Sequence, residues 1–178
     1  MSSRFRLTTS AVLAALLCPL VASQTTPQDQ SNNSLIHTAV RIDAAARPDV
    51  DGRLDEDIWA DAPKSTGFIQ RGPDPGTAAT ERTEVAILYD DNALYVGFRC
   101  FVQDPTTIIA PLARRDDFPT SDRVSVDIDS YNDDRTAFSF AVTAGGVEQD
   151  VLVYNDREED DSWDAVWDGK TARFDGGY

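Results

Sequence analysis

The chain has 178 residues, with 31 acidic side chains against 16 basic ones and a net charge of −15. Phosphate backbones are bound by basic patches, so this balance, with no basic cluster in view, excludes nucleic acid as the partner. A single histidine, His37, excludes any chemistry that needs two and reads as a solvated residue beside a linker.

Arg4 and Arg6 form a basic amino-terminal region, and Ala11 to Leu17 is an apolar run too short to span a bilayer. Val21-Ala22-Ser23 supplies the modest side chains of a cleavage site, so residues 1–23 are expected to be a signal peptide cut after Ser23. A lipoprotein would need a small residue before Cys18, and Leu17 is not small. Cleavage takes two of the 16 basic residues and none of the 31 acidic ones, so the mature chain is more acidic still. It also removes Cys18, leaving Cys100 alone and no intramolecular disulfide. Cys100 sits in an apolar strand and is expected to pack as a small hydrophobe. The alternative, a reactive thiol, lacks a nearby base. The expected location is outside the cytoplasm: periplasmic, associated with the outer membrane, or extracellular.

Residues 24–39 are rich in Gln, Asn, Ser and Thr at first, show no apolar period, and predict a flexible lead-in. The folded part is expected over 40–178. Asp51-Gly52 predicts a turn, and the acidic run behind it delivers Ile58 and Trp59 as apolar anchors on a helical turn. Val85 to Tyr89, the loop Asp90-Asp91-Asn92-Ala93, and the alternating Leu94 to Phe101 predict a β-hairpin. Leu94, Val96, Phe98 and Cys100 share one of its faces. Thr106 to Ala113 reads equally as an extended connection or a short helix. Val124, Val126 and Ile128 alternate with polar residues as a strand with one buried face. The chain turns at Asn132-Asp133-Asp134 and returns over Ala137 to Thr143, with Phe138, Phe140 and Val142 on one side. It turns again at Ala144-Gly145-Gly146, and Val151 to Tyr154 is a further short strand. Short strands punctuated by turns, without a long helical period, predict an all-β fold, an antiparallel β-sandwich of immunoglobulin-like or jelly-roll type.

Four segments in order carry a family resemblance. Asp51 to Trp59 is similar to the opening motif of carbohydrate-binding modules of family 9. Ala79 to Val96 is similar to their central hairpin, Asp104-Pro105 to its exit, and Asp122 to Asp129 to their next acidic strand. Arg114-Arg115-Asp116, Tyr131 to Thr136 and Ser162 to Asp168 resemble the subtype found at the amino terminus of bacterial exported proteins whose remainder is an outer-membrane β-barrel. The resemblance implies a module that binds a glycan or oligosaccharide in carbohydrate catabolism, is not itself catalytic, and holds a structural Ca²⁺. Family members clamp a sugar between two aromatic side chains. Pro119 stands where the first should align, with Phe118 beside it. The second belongs to the family's last segment, and Gly176-Gly177-Tyr178 resembles the beginning of a further strand, so the closing strands of the sandwich are expected to be missing.

A pyranose presents an apolar C–H face that lies on an aromatic plane, while its hydroxyls take hydrogen bonds from polar neighbours. Phe118, Trp163 and Trp167 are the candidate platforms and Arg115 the candidate donor. The four-residue spacing of the two tryptophans puts both rings on one face of either a helix or a strand. The competing reading makes them core anchors, as it does Trp59. Asp127 and Asp129 lie two apart on the same strand face and are the candidate metal ligands, or a glycosidase pair, or a solvated strand face. The run from Asp127 is not an EF-hand: Tyr131 stands at a ligand position, Asn132 where Gly is required, and Phe138 where the bidentate Glu belongs. Nothing marks one acid as having the raised pKa that hydrolysis needs. Two further readings therefore stand behind the binding module: a non-catalytic interaction domain attached to an outer-membrane β-barrel, and a glycoside hydrolase.

Overall fold

The computed structural model describes residues 37–178 other than 118 and 156. The expected signal peptide and all but the end of the lead-in lie outside the described residues. Among the described residues, seven strands form two sheets. The first holds β1 (Ala39–Arg41), β2 (Thr83–Tyr89) and β3 (Leu94–Cys100) in the order β1-β2-β3. The second holds β4 (Arg123–Ile128), β5 (Ala137–Thr143), β6 (Glu148–Tyr154) and β7 (Glu158–Asp160) in sequence order. A five-residue helix, α1 (Asp57–Asp61), and 3₁₀ turns at Ala44–Ala46 and Pro105–Thr107 are the helical content among the described residues. The fold is all-β, in two open sheets. Every strand pair is antiparallel except β1 with β2, which run parallel, and β1 begins one residue ahead of the expected folded part.

The β2–β3 hairpin forms because both arms alternate and an Asp-rich loop reverses the chain. Asp90 accepts from the backbone N–H groups of Asn92 and Ala93 at 2.6 and 2.9 Å, an Asx turn that fixes the loop. The register pairs Val85 with Phe98 and Ile87 with Val96 on one face, and Ala86 with Gly97 and Leu88 with Tyr95 on the other. The second of these faces is closed by the opening motif. Trp59 is 5% exposed and packs with Ile42, Ala62, Ala86 and Leu88, while Leu54, Ile58, Val40 and Tyr95 border the cluster. Gly97 leaves the room for this: a Cβ there would stand 3.0 Å from the indole and 2.8 Å from Leu54. Truncating such a ring costs about 3–5 kcal/mol. Pro63 stops α1 after a single turn, and the Lys64 ammonium caps the freed carbonyls of Trp59 and Ala60 at 3.1 and 3.0 Å.

In the second sheet, the registers Val124↔Val142, Val126↔Phe140 and Ile128↔Phe138 gather all six apolar side chains on one face, as the alternation predicts. The same parity continues across β6 as Glu148, Asp150 and Leu152. A cavity of about 570 Å³ is bounded by this face, by β3 from Leu94 to Phe98, and by the segment from Val166 to Ala172. Thr106 to Ala113 resolves into one 3₁₀ turn, initiated by Asp104 accepting from Thr106 N at 2.9 Å, followed by irregular chain.

Candidate functional site

Residues 161–173 form neither helix nor strand, so the spacing of Trp163 and Trp167 is not imposed by a regular element. Both indoles nevertheless come to the same place, because aromatic residues of β5 project there. Trp163 lies 4.9 Å from Phe138 and 6.0 Å from Phe140 between ring centroids, and Trp167 lies 5.2 Å from Phe140 in an edge-to-face contact. Both are half-buried. Each ring is thus anchored on the sheet and each retains solvent-accessible surface.

A buried carboxylate sets the position of this segment. Asp150 points inward from β6 and is 1% exposed. It accepts from Trp167 Nε1 at 3.2 Å, from the backbone N–H of Ala165 at 2.6 Å, and from Arg115 Nη2 at 2.5 Å. Arg115 also donates to Glu148 at 2.9 Å and, through Nη2, to Asp164 and the Ala165 carbonyl at 3.3 Å each. Its guanidinium carbon lies 5.8 Å from the centroid of the Trp167 ring. Glu148 completes the array by accepting from Gly169 N at 3.0 Å and Lys170 Nζ at 3.1 Å. One strand thus ties down the irregular segment at three successive points, with the acid demanded by burial fully hydrogen-bonded.

Arg115, Trp163 and Trp167 are therefore brought together. Phe118 lies outside the described residues. The sequence reading missed Asp150, which holds Arg115 and Trp167, and Glu148, which holds Arg115. Their only signal is parity: they occupy inward positions of a strand, where an acid next to an apolar partner reads as solvent-facing unless an arginine is already known to meet it.

The two candidate metal ligands are both exposed, one on β4 and one just past its end. Asp127 is exposed on β4 opposite Ser139. Asp129 follows the end of that strand and spends its carboxylate on the turn, accepting from the backbone N–H groups of Tyr131, Asp133 and Asp134 at 3.1, 3.3 and 2.9 Å. Among the described residues no group of three or more His, Cys, Asp or Glu side chains could hold a metal ion. These donors do not fit a calcium cradle, which needs several oxygens converging on one point. Cys100 is buried, and burial raises its thiol pKa, which suits a packing role. His37 is exposed, with its ring 6.2 Å from that of Phe68.

No family model, no curated protein and no solved structure matches this chain.

Proposed function

We infer that this chain is an exported, non-catalytic carbohydrate-binding module of the family 9 type, and that Trp163 and Trp167, with Arg115 beside them, receive the glycan. The observation that carries this reading is the pair of half-buried indoles seated on Phe138 and Phe140 next to an arginine held in place by buried and half-buried acids. A stacking platform needs rings that are immobile before the sugar arrives, because ordering them on binding would cost affinity. Trp167 is immobilised by Asp150 at its nitrogen and Phe140 at its ring. The acids around Arg115, including the exposed Asp164, are acceptors suited to sugar hydroxyls. The test is isothermal titration of residues 24–178 with a panel of oligosaccharides. Heat with at least one glycan, lost in Trp163→Ala and Trp167→Ala variants that keep the parent circular dichroism spectrum, is the expected result. Silence across the panel from folded protein would overturn it.

A second reading, a periplasmic interaction domain of an outer-membrane β-barrel protein, is favoured by the extent to which Arg115 is already engaged: its donors serve Glu148, Asp150, Asp164 and the Ala165 carbonyl. Co-purification with the barrel that survives both tryptophan substitutions supports that reading with a contact surface elsewhere on the domain.

A further inference from the structure

One exposed aromatic residue extends the tryptophan site without having been assigned to it. Tyr131, in the turn between β4 and β5, is 68% exposed. Its ring lies 6.3 Å from that of Phe138, which in turn lies 4.9 Å from Trp163. Trp163 reaches Phe140 at 6.0 Å, and Phe140 reaches Trp167 at 5.2 Å. Tyr131, Phe138, Trp163, Phe140 and Trp167 thus form one unbroken row of rings. Its direction follows from β5. Phe138 and Phe140 stand two residues apart on one face, and two residues of a strand advance about 7 Å. Trp167 packs on Phe140, Trp163 on both phenylalanines, and Tyr131 on Phe138. The row therefore runs along the strand. Arg115 marks the Trp167 end, because the Asp150 that holds it pairs with Phe140 across the sheet.

The turn that carries Tyr131 is fixed at its backbone. Asp129 accepts from the N–H groups of Tyr131, Asp133 and Asp134, and Asp133 accepts from those of Arg135 and Thr136 at 2.9 and 2.7 Å. Asn132 and Asp134 stand at φ +52° and +56°, a conformation that Asn and Asp side chains tolerate better than most. Two carboxylates are thus spent on the loop that presents this ring. A tyrosine has only two side-chain torsions to order, so a ring on a fixed backbone loses little freedom when a ligand covers it. The same ring contributes little to the fold while it faces water.

Resting on the reading of Trp163 and Trp167 as a glycan platform, we propose that Tyr131 is a third stacking residue and that the ligand is a linear, extended oligosaccharide of three or more pyranose units lying along β5. One unit sits at Trp167 beside Arg115 and Asp164, the next at Trp163, and the outermost on Tyr131. Each unit lays its apolar C–H face on a ring while its hydroxyls stay in contact with water and polar neighbours. A single sugar would need only the first of these positions and would leave Tyr131 without a role. A row that follows a strand selects a chain that is itself extended, whereas a coiled chain would leave the rings after a unit or two.

The experiment is isothermal titration of the full chain and its Tyr131→Ala, Tyr131→Phe and Trp167→Ala variants against oligomers of one to six units. The probes are β-1,4-linked glucose, xylose and mannose, with α-1,4-linked glucose as the coiled control. Affinity for at least one β-linked series is expected to rise up to three or four units and then level. Tyr131→Ala should lower affinity for the longest oligomer about fivefold and leave the disaccharide unchanged. Tyr131→Phe should match the parent on both, and Trp167→Ala should weaken both. Tyr131 is exposed, so its variants should keep the parent circular dichroism spectrum. Affinity independent of length, or a Tyr131→Ala variant equal to the parent on the longest oligomer, overturns the third position and leaves the two-tryptophan platform standing. An equal loss at every length overturns the order of the row, and tighter binding of the α-linked series overturns its straightness. No heat with any β-linked series overturns the proposal; heat from other glycans then keeps the platform, and silence from all of them removes both.

Discussion

Replacing Asp150 by alanine is the most informative single change, because the side chain is buried, two of its three hydrogen bonds hold the segment that carries the tryptophans, and the third holds Arg115 beside it. The substitution strands the Trp167 Nε1–H and the Ala165 N–H and removes the buried partner of Arg115. Leaving one member of a buried ion pair uncompensated costs about 3–5 kcal/mol. Arg115 is not left wholly alone, since Glu148 at 2.9 Å and Asp164 at 3.3 Å remain; the lower part of that range, about 3 kcal/mol, is the expectation. Asp150→Asn keeps an acceptor oxygen for one or two of the three donors and should cost about 1–2 kcal/mol. Urea unfolding followed by tryptophan emission gives both numbers. Trp163 and Trp167 report the segment, Trp59 reports the core beside the first sheet, and circular dichroism reports the sheets, so a local detachment would appear as an emission phase ahead of the circular dichroism transition. Asp127→Asn, on the exposed face of β4, is the control and should move stability by less than about 0.5 kcal/mol. If Asp150→Ala costs no more than that control, the carboxylate does not organise the segment and the argument for a preset aromatic platform fails with it.

Gly52 sits at φ +85°, and a Cβ there would stand 2.6 Å from the Thr171 carbonyl carbon, so Gly52→Ala should lower stability by about 1–3 kcal/mol in thermal unfolding; an unchanged melting temperature would contradict the close approach. Asp90 is held to a pKa of about 2, chiefly by its hydrogen bond with Arg47 and then by the Asn92 N–H. A depressed carboxylate contributes above its unfolded pKa and loses that contribution as pH falls through the folded value, so the hairpin should weaken between about pH 4 and pH 2. Asp90→Ala should flatten the stability profile in that window, and a parallel decline in both proteins would refute the assignment. Because Asp129 is occupied by its turn, chelation followed by millimolar Ca²⁺ should shift the melting temperature by no more than about 1 °C. A concentration-dependent rise would reveal a calcium site built from other oxygens.

How much of this was legible in the sequence depended on whether a residue's fate was set by its neighbours or by a distant segment. The β2–β3 hairpin and the β4–β5 pair were readable because alternation and Asx turns are local, and β5 spans the stretch expected of it. The start of β6 was not: Glu148-Gln149-Asp150 reads as polar chain, so the strand was expected only from Val151, whereas its first three residues pair with β5. The acids are tolerated there because Arg115, Gly169, Ala165 and Trp167 arrive from elsewhere to satisfy them. The three-residue β7 carries no alternation of its own and exists through its pairing with β6. The site followed the same rule. Arg115, Trp163 and Trp167 were identifiable by residue type, while the acid that joins Arg115 to Trp167 was hidden by being charged at an inward position.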